Sequence, residues 1–157
     1  VFDVVVVYVM AKAGDERSVL LGKKLRGLGH GRVVGPGGKV TPGETHLDAA
    51  IREVFEEVGI ELRAEDMTHR AVITYPFRDR PDYSQRSFVY TAEKWRGEPV
   101  SSDELEPQWY RLTDIPWDQM WADAKLWLPR VFDGHFVEGT LTIGLVDEVI
   151  DQQWSRF

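Results

Sequence analysis

A chain of 157 residues, 43% hydrophobic and 29% charged, has the balance of an ordinary globular protein with enough length to bury one core. Its 19 Lys and Arg against 26 Asp and Glu leave a formal charge of −7, which argues against a general duplex-DNA binder and the basic face such a protein carries. Cysteine is absent, so disulfides, thiolate metal sites and thiol nucleophiles are excluded together.

No apolar run approaches the ~18 residues of a membrane span. The longest, Val4 to Met10, follows Asp3 and has neither a basic leader nor a cleavage site. These features lead us to expect a cytoplasmic protein. With no repeat, low-complexity tract or linker, a single domain over residues 1–157 is the economical organisation.

In chain order, the β-branched run Val4 to Val9 predicts a buried strand, Ala13 to Glu16 a turn, and Ser18 to Lys23 a second strand. Residues 27–43 hold seven glycines and two prolines, so this stretch is expected to be loop, with at most a short strand at Arg32 to Val34. Leu47, Ala50, Ile51, Val54, Phe55 and Val58 then recur at helical spacing. Thr45 can cap this amphipathic helix, with Asp48 as a weak capping box, and Gly59 can end it. Strands are expected at Arg70 to Tyr75, Ser87 to Trp95 and Gln108 to Leu112, with a second helix at Ala122 to Phe132 that Pro129 could kink. The tail from Phe136 to Trp154 mixes strand and helix signals. Strands flanking helices indicate an α/β sandwich.

Glu53, Glu56 and Glu57 fall on an arc of roughly 100° opposite the apolar stripe, with Arg52 one turn before Glu56. Carboxylates crowded in this way repel unless a cation sits among them. A hard divalent ion such as Mg²⁺ favours oxygen ligands of this kind, shared with substrate phosphates and water. The plain alternative is a solvated acidic face relieved by Arg52. Wider spacing decides between them. Gly38, five residues, Glu44, seven residues, then Arg52-Glu53-Val54-Phe55-Glu56-Glu57-Val58-Gly59-Ile60 would occur by chance on the order of once in 10⁷ such chains, at average residue usage.

This pattern resembles the Nudix hydrolase box. The resemblance implies an α/β/α sandwich around a mixed sheet, and cleavage of a nucleoside diphosphate linked to another group. It implies that Glu53, Glu56 and Glu57 hold Mg²⁺ (Mn²⁺ being an alternative), with help from the carbonyl of Gly37 or Gly38. It also implies that Arg52 and Glu44 orient the helix and loop. The chemistry agrees, since phosphoryl transfer needs charge neutralised and a water aimed in line. Independently, residues 17–43 carry six cations (Arg17, Lys23, Lys24, Arg26, Arg32, Lys39) and no carboxylate. That asymmetry can steer an anion, with Lys24 or Lys39 as the expected phosphate contact. The alternative is a hairpin whose cations pair with acids elsewhere.

Leu20-Leu21-Gly22, Arg26-Gly27, Gly31-Arg32, Gly37-Gly38-Lys39-Val40, Ser102-Asp103-Glu104, Ile115-Pro116 and Met120-Trp121 are similar to the MutT-like branch of the family that acts on oxidised purine nucleoside triphosphates. That similarity, running from about Arg17 to Pro129, implies hydrolysis to the monophosphate and pyrophosphate. It makes Glu104 a metal ligand or water-activating base. It matches Trp121 to a residue that stacks on the base and Asp123 to the first of two aspartates that read its edge. The chain departs from the pattern at Ala124 (the second aspartate), at Val34 (an asparagine) and at Leu28 (a phenylalanine). Alternatives are a Nudix enzyme for a normal nucleoside triphosphate or another nucleoside diphosphate derivative, and a nucleotide sensor without turnover. A small-molecule triphosphate is the expected partner, with no nucleic-acid polymer, membrane or obligatory protein partner.

Overall fold

A computed structural model describes residues 1–157. The strands are β1 (Phe2–Ala13), β2 (Glu16–Lys24), β3 (Val33–Val34), β4 (Gly37–Lys39), β5 (Met67–Tyr75), β6 (Gln85–Ala92), β7 (Leu105–Arg111), β8 (Val137–Ile143) and β9 (Val149–Arg156). Two α-helices, α1 (His46–Val58) and α2 (Ala124–Phe132), and four short 3-10 turns complete the chain.

The sheet is mixed and runs β3-β2-β1-β6-β5-β8-β9, with β4 added beside β1 and β7 beside β2. β1 is the long shared strand. Its residues 2–9 lie parallel to β6, residues 4–6 pair antiparallel with β4, and residues 10–13 form a hairpin with β2. The pleat divides β1 between two cores. Val5, Val7 and Val9 pack with Ala49, Ala50, Val54 and Val58 of α1. Tyr8 and Met10 pack with Trp127, Leu128 and Val131 of α2. The helices therefore cover opposite faces of the sheet, as the α/β/α expectation required. Fully burying each such aliphatic side chain contributes about 1.5–3 kcal/mol.

α1 begins where the sequence places it. Thr45 Oγ1 accepts from the Asp48 amide at 3.0 Å. Gly59 ends the helix in the left-handed conformation, and its amide donates to the Phe55 carbonyl. Two expectations about its faces fail. Phe55, assigned to the apolar stripe, is 53% exposed, and Ala49 takes the inner position instead. Glu57, assigned to the outer acidic arc, is buried, because β4 lies over it.

The glycine-rich stretch contains a second short strand, β4, that strand propensity could not reveal. A Cβ on Gly37 would stand 1.9 Å from the Val5 carbonyl oxygen, so only glycine lets β4 come this close to β1. Pro129 lies inside α2 without ending it. The ambiguous tail folds entirely as the β8–β9 hairpin. No helix is long and apolar enough to cross a membrane.

Candidate active site

Midway along α1, the guanidinium of Arg52 organises four partners. Its Nε donates to Glu44 at 2.6 Å, and its Nη1 donates to Glu53 at 2.8 Å and Glu56 at 3.2 Å. Its Nη2 reaches Glu44 at 2.9 Å and the Lys39 carbonyl at 3.1 Å. Arg52 thus ties helix, loop and β4 together, and holds the Glu44 carboxyl down at about 2 through its hydrogen bonds. For Glu53 and Glu56, the cation that crowded glutamates require is internal.

Glu57 is set apart from this network. It accepts from the Gly37 amide at 2.8 Å, and burial pushes its carboxyl up to about 7. Glu53 and Glu104 raise it further, against the opposing Gly37 amide and Lys24. Burial also raises Glu53, with repulsion from Glu56 and Glu104 added against Arg52. Glu53 and Glu57 therefore both feel the charge of Glu104, which comes from a distant loop. Gly38 opens the space between them, since a Cβ there would lie 2.4 Å from the Glu53 carboxyl carbon.

Glu104 stands just before β7, where its backbone carbonyl accepts from the Leu25 amide. Its carboxylate pairs with Arg26 Nε at 3.1 Å. Glu56, with its side chain 56% exposed, faces Arg52 and solvent. No three acidic or imidazole side chains stand at the mutual spacing of a finished metal cage. Arg52 accounts for this arrangement by drawing Glu53 and Glu56 to itself. In chemistry the set still suits a hard divalent ion: it offers oxygen donors, partly desolvated, mutually repelling, beside a glycine where no side chain intrudes.

From Glu57, Gly37 and Gly38 a cavity of about 200 Å³ extends across the sheet to Trp121 and Asp123. Lys24 lines it, as do Leu28 and Val34. Asp123 heads α2 but does not cap it. Its carboxylate turns inward and is buried, with Oδ2 accepting from the Tyr75 hydroxyl at 2.7 Å and Trp127 Nε1 at 2.8 Å. Burial, then the charge of Asp123, holds the Tyr75 phenol well above its ordinary value, fixing it as a donor. Both hydrogen bonds fall on one oxygen of Asp123, leaving the other to the cavity. Trp127 lies one helical turn after Asp123, a signal present in the sequence. Tyr75 arrives from β5, and no local spacing announces it.

The cationic stretch divides on folding. Arg17 donates to the Phe132 carbonyl, Arg26 pairs with Glu104, and Arg32 with Asp147 at 3.3 Å. Of the two lysines expected at phosphate, Lys39 stands apart from the cavity, with its ammonium 4.6 Å from the centre of the Phe2 ring. The structure brings Lys24 alone of this group to the cavity wall. Of the four histidines, His46 stacks on Phe88 at 3.7 Å and bonds Asp3 at 3.0 Å, far from any metal-like arrangement.

The NUDIX domain model matches residues 2–131. The oxidized purine nucleoside triphosphate hydrolase of Mus musculus is 37% identical over 135 residues, spanning 82% of this chain and 84% of its own length. The Danio rerio protein of the same name is 43% identical over 124 residues, spanning 75% and 77%. Among solved structures, the mutator MutT protein from Bacillus halodurans superposes with a TM-score of 0.84 over 99% of this chain and 98% of that one. At 24% identity, that likeness speaks to the fold. The box, the sandwich that presents it and these relatives agree, and the chain belongs to the Nudix family.

Proposed function

We propose that this chain hydrolyses oxidised purine nucleoside triphosphates, of the 8-oxo-dGTP type, to the monophosphate and pyrophosphate. One observation carries this function. A single cavity joins the buried carboxylate of Glu57 and the Gly37–Gly38 backbone at one end to Trp121 and Asp123 at the other. A triphosphate with a flat, hydrogen-bonding base has complementary chemistry at its two ends. The Mus musculus and Danio rerio relatives, named for this activity, support the same substrate class.

In this proposal Glu53, Glu56, Glu57 and Glu104 hold Mg²⁺ or Mn²⁺, with the Gly37 or Gly38 carbonyl. Such an ion neutralises phosphate charge and favours formation of hydroxide from water. Arg52 and Glu44 hold α1 against β4, so that Glu53 and Glu57 keep their positions. Lys24 neutralises phosphate charge from the cavity wall. Trp121 stacks on the base. The free oxygen of Asp123 accepts from guanine N1–H or its exocyclic amine, while Tyr75 and Trp127 fix the carboxylate. Leu28 and Val34 offer packing but no hydrogen bond, which weakens discrimination between 8-oxo-dGTP and dGTP. Residues 1–157 act as one domain, and the cysteine-free composition suits the cytoplasm.

The test is a panel of 8-oxo-dGTP, 2-oxo-dATP, dGTP, dATP and dTTP with Mg²⁺, with products identified. The expected result is release of pyrophosphate, with purines preferred. Preferential cleavage of a nucleoside diphosphate sugar over every triphosphate would overturn it.

A further inference from the structure

The apex of the β8–β9 hairpin carries the chain's one non-glycine residue with positive φ, Asp147 at +65°. Its carboxylate takes two arginines from separate loops. One oxygen accepts from Arg32 Nη2 at 3.3 Å and the other from Arg80 Nη2. Each arginine backs an aromatic ring of the cavity wall. Arg32 lies over Trp121, 4.5 Å from the ring centre, and its Nη1 reaches the Met120 carbonyl at 3.4 Å. Arg80 lies 5.4 Å from the centre of Phe77. Phe77 in turn meets Trp121 edge to face at 6.3 Å.

Trp121 and Phe77 line the cavity, whereas Arg32, Arg80 and Asp147 stand outside it. The hairpin root is joined to the same wall, because the Ile143 amide donates to the Pro76 carbonyl and the Arg78 amide to the Ile143 carbonyl. The Asp147 and arginine side chains are each about one-quarter to one-third exposed, so solvent screens these pairs less than open surface pairs.

Taking the substrate class proposed above as its basis, we infer that Asp147 is a positioning residue for the purine. Through Arg32 and Arg80 it clamps Trp121 and Phe77 from behind and sets the width of the slot into which the base slides. A stacked base is sensitive to that width, whereas the triphosphate end of the cavity is not. The hairpin thereby gives base affinity a determinant remote from the Nudix box.

Asparagine and glycine both tolerate the left-handed backbone, so Asp147→Asn and Asp147→Gly remove the carboxylate without straining the turn. Both should lower kcat/KM for 8-oxo-dGTP by about 5–10-fold, mainly through KM, while changing that for dTTP by less than about twofold. Arg32→Gln combined with Asp147→Asn should lose less than the product of the single losses, since both break one clamp. In 5-fluorotryptophan-labelled protein, with the resonance assigned by Trp121→Phe, Asp147→Asn should shift or broaden Trp121 and leave Trp95 and Trp109 in place. An unmoved Trp121 resonance, or equal losses on purine and pyrimidine, would overturn the inference. If the unsubstituted protein cleaves no purine triphosphate, the proposed function fails, and the Trp121 resonance by itself upholds or overturns the clamp.

Discussion

At the α1 end of the cavity, Arg52, Glu53, Glu56 and Glu57 come from one helix of 13 residues, joined to Glu44 eight residues before Arg52. At the aromatic end, Tyr75, Trp121, Asp123 and Trp127 come from β5, a loop and α2, with Asp147 behind them on a hairpin. The first region is assembled by helical periodicity, and its parts cannot separate without unwinding α1. The second exists only after the sheet has formed and α2 has docked on it. Catalytic geometry is therefore expected to tolerate changes in the distant hairpin, while base recognition should respond to changes across the whole aromatic face.

The sharpest way to break this contrast is Glu57→Gln. It preserves shape and an oxygen that can accept from the Gly37 amide, but removes the charge. We expect turnover to fall at least 10²-fold, about 2.7 kcal/mol in barrier, with a circular dichroism spectrum unchanged. Wild-type rates across a Mg²⁺ titration would take Glu57 out of the reaction. Glu53→Gln should lose activity similarly while leaving base preference alone.

Glu57 also carries a pH signature. The carboxyl is raised from 4.5 to about 7, mainly by burial, so the folded chain keeps a proton that the unfolded chain releases. Its stabilising contribution is fully present below the unfolded value and is lost as pH rises through about 7, by at most about 3 kcal/mol. Urea denaturation in chelator at pH 5 and pH 8 should show that loss. Glu57→Gln should flatten it, and adding divalent cation should restore stability at the higher pH.

Asp123→Ala probes the other region. It removes the oxygen proposed to read guanine and strands the Tyr75 and Trp127 donors. The cost should be about 1.5–3 kcal/mol in kcat/KM for guanine-type triphosphates and about 1–3 kcal/mol in folding stability. Adenine-type triphosphates should lose less activity, measured on the same preparations. Equal losses for all bases would mean that Asp123 supports the wall without reading the edge.

These two regions were unequally legible in the sequence. The limits of α1 follow from Thr45, the apolar spacing and Gly59, and the family from the fixed spacing of Gly38, Glu44 and the Arg52–Ile60 block. Burial of Glu57 was hidden, because a helical wheel knows nothing of the β4 backbone laid over it. β4 itself was hidden because glycine is a poor strand former, and its role there depends on close approach to Val5. Lys39 and Arg32 looked equivalent as cations. Only the tertiary fold sends one to Phe2 and the other behind Trp121. Trp127 was within reach of an i+4 argument from Asp123, whereas Tyr75 and Asp147 required the sheet.

The smallest effect belongs to Thr45→Ala, which removes the cap of α1. About 1 kcal/mol of stability should be lost, seen as a lower denaturation midpoint, with substrate preference unchanged. A shift in purine preference would show that the two ends of the cavity communicate through α1.

The alternation along β1 also guards the fold against misassembly. Odd-numbered valines serve the α1 layer and Tyr8 and Met10 the α2 layer, while Val5 and Val6 receive Gly38 and Gly37 of β4. A slip of one residue would send a tyrosine and a methionine into space cut for valines, and would set Gly37 against a different carbonyl. The close glycine approach has a consequence for the site as well: it brings the Gly37 amide down to Glu57, so the packing of β4 on β1 and the placement of that carboxylate are one event.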